Sequence, residues 1–493
     1  MNLPFTEIHS SDEVPQYSFW SGHAWERGAS DEMVEVKNPS DGAVIARFPK
    51  TTNEEIDVGM KTVSEAQISW AKRPLFERIS IIKNVAQKFR DHEKELTELL
   101  MWEIGKTRSD AKSEIVRSAE IMEYMCGEAA SMTGDFRDSD SFSGFASGRF
   151  ALIDRAPHGV VLAIAPFNYP VNLAISKIAP ALLIGNGVVF KSPTQGTLSG
   201  LSIVKLFLDG GVPGELLFAP TGAGRAIGEY LVAHPLVSMI AFTGSSEVGA
   251  KIAAKTTMLP LLFECGGNNP AIIFPDADMA KTAIEIVKGA FSYSGQRCTA
   301  IKYVLARGEV MDQIIPLVGQ KMDELISVGQ PFDEATKMVG PLISEDAAKT
   351  VEDVVNDARN NGAEVYRGGN RHGSTYEPTL LKNVRADLNV VKIETFGPVV
   401  SFITVQDEQE AMQIVNNSHY GLQASVFTKD EGTGLKLARQ LHVGTVQING
   451  SPQRGPDHFP FMGIKGSGVG VQGIRYSLEA MSRLRSVVLN NPE

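Results

Sequence analysis

Residues 155–262 repeat one rhythm: a short apolar run, a glycine- or proline-marked turn, then apolar residues at helical spacing. DRAPHGVVLAIAP at 154–166, GVVFKSP at 187–193 and the start of SMIAFTGSSEVGAKIAAK at 238–255 supply the apolar runs. NLAISKIAPALLIGN at 172–186 and the first part of LSGLSIVKLFLDGGVPGELLFAP at 198–220 supply the helical ones. Continuous apolar runs, rather than alternating ones, mean strands buried on both faces. Alternation with helices therefore predicts a mostly parallel sheet covered by helices, an α/β fold.

A second cycle begins near NPAIIFPDADM and runs to GTVQING, which predicts a further α/β unit over 264–450. Ahead of both, residues 52–130 are rich in Glu, Lys, Ala, Ile and Leu at helical spacing. TNEEIDVGMKTVSEAQISWAK opens with a capping threonine and an acidic first turn. LFERISIIKNVAQKFRDHEKELTELLMWEIGK reads as one or two amphipathic helices, and SDAKSEIVRSAEIMEYMCGEAASM as another. A chain of 493 residues exceeds what one core supports, so at least two domains are expected. Near the C-terminus, Ser486 to Leu489 is a β-prone run suited to covering a sheet edge in its own chain or in a partner.

Charge and cysteine usage exclude several classes. With 47 Lys and Arg against 58 Asp and Glu, the net charge of −11 disfavours broad nucleic-acid or anionic-membrane contact. A few convergent arginines can still make a positive pocket. The longest apolar stretch, Ile175 to Phe190, is interrupted by Lys177, Pro180 and Gly185 and is too short for a membrane span. MNLPFTEIHSSDE does not read as a signal peptide, and a cytoplasmic location is expected. Three cysteines, at 126, 265 and 298, make no disulfide framework. There is no CxxC or HExxH, and no metal site is expected.

Three local patterns carry chemistry. FTGSSEVGAKI at 242–252 brackets a strand-to-helix turn with Gly244 and Gly249, so backbone can approach a ligand and the helix start favours an anion. The same pattern also suits an ordinary connection. GQRCTA at 295–300 puts Cys298 in a polar context beside Arg297, either as a nucleophile with a lowered pKa or as a buried loop thiol. FECGGNNP at 263–270 puts Glu264 at a strand end, where a carboxylate serves as a base, a ligand contact or a turn cap.

Taken together, APFNYPVN, FKSPTQ, FTGSSEVG, ECGG, GQRCTA, ETFGPV and GIKGSG resemble the aldehyde dehydrogenase superfamily in order and spacing over nearly the whole chain. Within it, FNYPVNLAISKIAPALLIGN, SPTQG, YSGQRCTA and QRGPDHFPFMGIKGSG are similar to the non-phosphorylating, usually NADP-preferring glyceraldehyde-3-phosphate dehydrogenases.

The resemblance implies roles. Cys298 attacks the aldehyde, Asn168 and the Cys298 backbone N–H hold the oxyanion, and Glu264 activates water against the thioester. Lys191 and Thr194 meet the adenosine ribose. Members specific for NAD commonly carry glutamate at the Thr194 position, so threonine favours NADP without excluding NAD. Gly244, Ser245 and Ser246 would meet the pyrophosphate, Glu394 the nicotinamide ribose and Phe396 the nicotinamide. Arg117, Tyr169, Arg297 and Arg454 would converge on a substrate phosphate. Cys265 is the rival thiol, read as packing. Asn268, where lysine is frequent in the family, receives no role.

The implied product is 3-phosphoglycerate from D-glyceraldehyde 3-phosphate. The alternative is oxidation of another small aldehyde such as succinic semialdehyde or glyceraldehyde. The expected protomer has a Rossmann-type dinucleotide-binding domain from residues 1–131 and 156–263, with 451–468 as a candidate return segment. A catalytic domain covers 264–450, and an oligomerisation arm joins 132–155 to 469–493. The family's assemblies imply a homotetramer or homodimer.

Overall fold

The computed structural model describes residues 14–144 and 148–490. The leading segment MNLPFTEIHSSDE, three residues of the expected arm and the last three residues lie outside the described residues.

Two sheets dominate. The first has six strands in the order Gly468–Val469, Leu261–Glu264, Val237–Thr243, Val160–Ile164, Gly187–Lys191 and Leu217–Phe218. Its last five strands run parallel, and only Gly468–Val469 is antiparallel, pairing with Leu261–Glu264. The second sheet has seven strands, ordered Glu364–Arg367, Thr379–Lys382, Val399–Thr404, Ile301–Ala306, Asn269–Ile273, Gln423–Phe427 and Thr445–Ile448. All but its first strand are parallel. This is the α/β architecture that the alternating runs predict.

The apolar stretch from Ile175 becomes helix Asn172–Ile184, buried along nearly its whole length, with strand Gly187–Lys191 behind it. A helix that is apolar on nearly every face lies inside a core, and its few polar residues, Asn172, Ser176 and Lys177, are buried with it. The amphipathic region resolves into helices Asn53–Lys72, Leu75–Asp91, Glu93–Ile104 and Arg108–Ser131. Thr52 and Glu55 form a reciprocal capping box at the first of these.

One expectation needs correction. Residues 154–166 are not one strand. The chain breaks at His158–Gly159, where Gly159 has φ 132°, and the two halves join different sheets. Arg149–Pro157 sits in a separate antiparallel sheet between Asp135–Asp138 and the C-terminal strand Ser482–Asn490. Val160–Ile164 sits in the middle of the first sheet. The β-prone C-terminal run therefore covers an edge in its own chain.

Candidate active site

The loop carrying Cys298 is built against resistance. After helix Met279–Phe291 the chain passes through Tyr293, Ser294 and Gly295 at φ 52°, 53° and 67°. Left-handed backbone disfavours L-residues by roughly 1–2 kcal/mol each, so neighbours must hold it. Ser294 Oγ donates to the Gly340 carbonyl at 3.0 Å and accepts from the Gly340 N–H at 2.9 Å. The buried Lys302 Nζ donates to the carbonyls of Gly295 and Gly397, both at 2.9 Å. Asn269 Nδ2 donates to the carbonyls of Cys298 and Ala300, both at 2.8 Å. Cys298 is thereby left partly exposed, whereas Cys126 and Cys265 are buried.

Cys298 lines a cavity of ≈ 510 Å³ together with Asn168, Phe167, Phe242, Gly244, Ser245, Glu394 and Phe396. The rings of Phe167 and Phe396 meet edge to face at 5.8 Å. Asn168 Nδ2 donates to the Gln296 carbonyl at 2.9 Å, which ties the amide to the Cys298 loop. Glu394 accepts from the Gly267 N–H at 3.1 Å. A Cβ on Gly266 would stand 2.2 Å from Glu394 Oε2, so only glycine lets this carboxylate lie here.

Burial, then Glu394 and Glu264, push the Cys298 thiol up to about 12. Arg454 and Arg297 act in the opposite direction, favouring the thiolate. Cys265 also lines the cavity, and burial pushes its thiol up to about 12 as well. Its 5% exposure makes it the poorer nucleophile.

On one side the cavity leads to the ends of the first sheet. Ser245 caps helix Ser246–Lys255, accepting from the Val248 N–H at 3.3 Å. Ser246 Oγ is buried with no hydrogen-bond partner. Lys191 is buried at the end of its strand, where its Nζ donates to the Ser192 carbonyl. Burial lowers its pKa to about 8. Among the described residues, a hydroxyl without a partner, an open helix start and a buried lysine with no carboxylate acting on it suit a phosphate-bearing dinucleotide.

Glu264 lies at the end of its strand and is buried. Its carboxylate accepts from Arg454 Nη1 at 2.6 Å and Thr243 Oγ1 at 2.8 Å, with Lys177 Nζ at 3.5 Å. Burial alone would raise its pKa, but Arg454 and Lys177 outweigh that and hold it below the usual carboxylate range. A carboxylate clamped between two cations is a weak base until one of them is drawn away.

The four residues expected at a phosphate each hold partners of their own here, yet lie within electrostatic reach of one another: Tyr169 acts on Arg117, Arg297 acts on Tyr169, and Arg454 and Arg297 both act on Cys298. Arg117 and Arg454 line a separate cavity of ≈ 630 Å³ with Asp457 and His458. Arg117 is bound to both carboxylate oxygens of Asp457 at 2.7 Å. Arg454 spans Glu264 and Gln472 Oε1, the latter at 2.6 Å. Arg297 instead donates to the carbonyls of Lys288 and Gly289, capping the end of its preceding helix. The Tyr169 ring packs under Lys106 Nζ at 3.8 Å. Sequence reasoning missed Lys177, Asn269 and Lys302, whose buried polar contacts hold the site. It also gave Asn268 no role, yet Asn268 Nδ2 donates to the carbonyls of Val391 and Ile393, just ahead of Glu394.

A cysteine, a side-chain amide and a carboxylate gathered between two α/β units match a known family. The model of the aldehyde dehydrogenase family matches residues 25–487. The chain belongs to the aldehyde dehydrogenase family. Among its aldehyde dehydrogenase relatives, the NADP-dependent glyceraldehyde-3-phosphate dehydrogenase of Pisum sativum is 41% identical, over 97% of this chain and 96% of that one. That of Streptococcus equinus is 41% identical over 96% of this chain and 99% of its own length. The crystal structure of the Bacillus halodurans C-125 enzyme of that name, complexed with NADP, superposes with a TM-score of 0.93 at 42% identity, covering 96% of this chain and 98% of its own. As an aldehyde dehydrogenase, the chain oxidises an aldehyde through a cysteine-bound intermediate with a nicotinamide dinucleotide as acceptor. No helix among the described residues is long and apolar enough to cross a membrane.

Proposed function

We propose that this aldehyde dehydrogenase oxidises D-glyceraldehyde 3-phosphate to 3-phosphoglycerate with NADP as hydride acceptor. The observation that carries the reading is the span of Arg454, which lines the ≈ 630 Å³ cavity and holds Glu264 at its far end. The full-length likeness to relatives of that name supports it.

Lys191, Thr194, Gly244, Ser245 and Ser246 hold the dinucleotide phosphates, and Glu394 and Phe396 hold its nicotinamide end. Bound NADP supplies a two-electron acceptor. The Cys298 thiol passes its proton to solvent water, and the thiolate attacks the aldehyde carbon, forming a thiohemiacetal whose oxyanion takes hydrogen bonds from Asn168 and the Cys298 N–H. The carbon-bound hydrogen then leaves with its electron pair, and a thioester remains. Glu264 takes a proton from water, the water oxygen adds to the thioester, and the Cys298 sulfur leaves.

A substrate phosphate in the second cavity competes with Glu264 for Arg454. Sharing that cation lets burial raise the Glu264 pKa, which makes it a better base. Arg117 and Arg297 add charge, and the Tyr169 hydroxyl adds a further donor. The three-part domain division, a cytoplasmic location and a homodimer or homotetramer joined through the Arg149–Pro157 and Ser482–Asn490 strands complete the proposal.

The test is steady-state oxidation of D-glyceraldehyde 3-phosphate with NADP and with NAD, with and without inorganic phosphate, beside unphosphorylated glyceraldehyde and succinic semialdehyde. Preference for the phosphorylated aldehyde without a phosphate requirement supports the reading. No preference would hand the site to another small aldehyde.

A further inference from the structure

We infer that Glu103, a residue remote from the reacting atoms, is a positioning residue that sets the choice between NADP and NAD by locking the loop carrying Thr194. The inference rests on the NADP reading above.

Glu103 lies in the last turn of helix Glu93–Ile104 and has no exposed surface. A buried carboxylate needs several donors. It finds them at the start of helix Thr197–Asp209: the Leu198 N–H at 2.7 Å, the Ser199 N–H at 2.9 Å and the Ser199 hydroxyl. That helix has no cap of its own. Its N-cap is Gly196 at φ 126°, where a Cβ would stand 2.8 Å from Pro193 Cγ and 3.3 Å from Pro170 Cβ. Glycine is required by the packing and brings no side chain, so the cap is imported from a helix about 95 positions away in sequence.

Glu103 grips the loop a second time through its backbone. Its carbonyl accepts from Gln195 Nε2 at 2.6 Å, and Gln195 Oε1 accepts from the Lys37 N–H at 3.2 Å. Thr197 Oγ1, at the helix start that Glu103 caps, donates to the carbonyls of Pro193 and Thr194 at 3.0 and 2.9 Å. The segment from Pro193 to Ser199 is therefore tied at several points along its length, with Thr194 near its start.

The contrast with helix Ser246–Lys255 gives this its meaning. That helix is capped by its own neutral Ser245, which leaves its start available to an anion. The helix after Thr194 is closed by a carboxylate, so its start is not available. A 2′-phosphate must be met by side chains held in place, chiefly Thr194 and Lys191. A dianion needs donors at fixed positions, whereas a 2′-hydroxyl tolerates a loose loop. Loosening the loop should penalise NADP selectively.

The test is equilibrium binding of NADP, NAD and adenosine 2′,5′-bisphosphate to Glu103→Gln. The amide keeps the shape but places an N–H against a backbone N–H. Dissociation constants for NADP and the bisphosphate should rise at least ~10-fold, while that for NAD stays within about threefold. The rate of Cys298 alkylation by iodoacetamide should not change. Where Glu103→Gln fails to fold, Ser199→Ala removes one tie and leaves the carboxylate, and should weaken NADP about threefold with NAD unaffected. Equal weakening of both dinucleotides overturns the inference, as does tighter NADP binding, which would make Glu103 a repelling charge. Wild-type protein that binds both dinucleotides equally overturns the cofactor reading itself. Wild-type preference for NADP that survives intact in both variants overturns this inference alone.

Discussion

The two cavities near Cys298 are built on opposite principles. The one lined by Phe167, Phe242, Val248 and Phe396 is largely apolar, and the polar groups at the nearby sheet ends are underused: Ser246 Oγ has no partner among the described residues and Lys191 holds a carbonyl. The one lined by Arg117, Arg454, Asp457 and Glu120 is charged, and its cations are already engaged by Asp457, Glu264 and Gln472. The first awaits a ligand with little rearrangement. The second can accept an anion only by breaking internal ion pairs. On the proposed reading, specificity on the dinucleotide side is a matter of fit, and on the aldehyde side a matter of exchange.

The severest break is Cys298→Ser. A hydroxyl is a far weaker nucleophile than a thiolate, so turnover should fall by on the order of 10³ or more while dinucleotide binding persists. Binding and turnover are measured separately by fluorescence titration and steady-state rates. Near-normal turnover, or substrate labelling at Cys265, would remove Cys298 from its role.

Glu264→Gln should slow the hydrolytic half-reaction by about 10²–10⁴-fold and spare the first. Stopped-flow absorbance should show a burst of reduced cofactor followed by a very slow phase. Loss of the burst would place Glu264 before hydride transfer.

Arg454→Leu tests the exchange directly. For the phosphorylated aldehyde kcat/KM should fall by the equivalent of about 2–4 kcal/mol, with a much smaller fall for glyceraldehyde. The variant also moves pH dependence in a defined direction. With Arg454 gone, burial opposes only Lys177 and Thr243, so the Glu264 pKa rises and the acid limb of the deacylation profile moves to higher pH. Equal loss for both aldehydes, or an unmoved acid limb, would separate Arg454 from both duties.

The mildest change, Thr194→Glu, sharpens the dinucleotide side. A carboxylate beside the 2′-phosphate should shift the ratio of NADP to NAD dissociation constants by about tenfold, or ~1.4 kcal/mol. An unchanged ratio would put the 2′-phosphate elsewhere.

What was legible in the residues follows from range. The strand–turn–helix rhythm and the helices of 52–130 are local patterns, and they appear in the structure where they are read. The break at His158–Gly159 was hidden because apolar residues continue on both sides of it, although Gly159 turns the chain into another sheet. Cys298 and Glu264 stood out by their neighbours. Their supports did not, because a lysine reads as a surface residue until its partners are known. Lys177 and Lys302 are fully buried among carbonyls and carboxylates drawn from several elements. The pairing of Arg454 with Glu264 joins residues 190 positions apart, beyond the reach of any local pattern.

One consequence of the paired cavities concerns traffic. The ≈ 510 Å³ and ≈ 630 Å³ cavities have no lining residue in common. On the proposed reading the dinucleotide and the substrate phosphate occupy different cavities, so a slow exit from either one becomes a brake on the whole cycle without touching a single bond-making group.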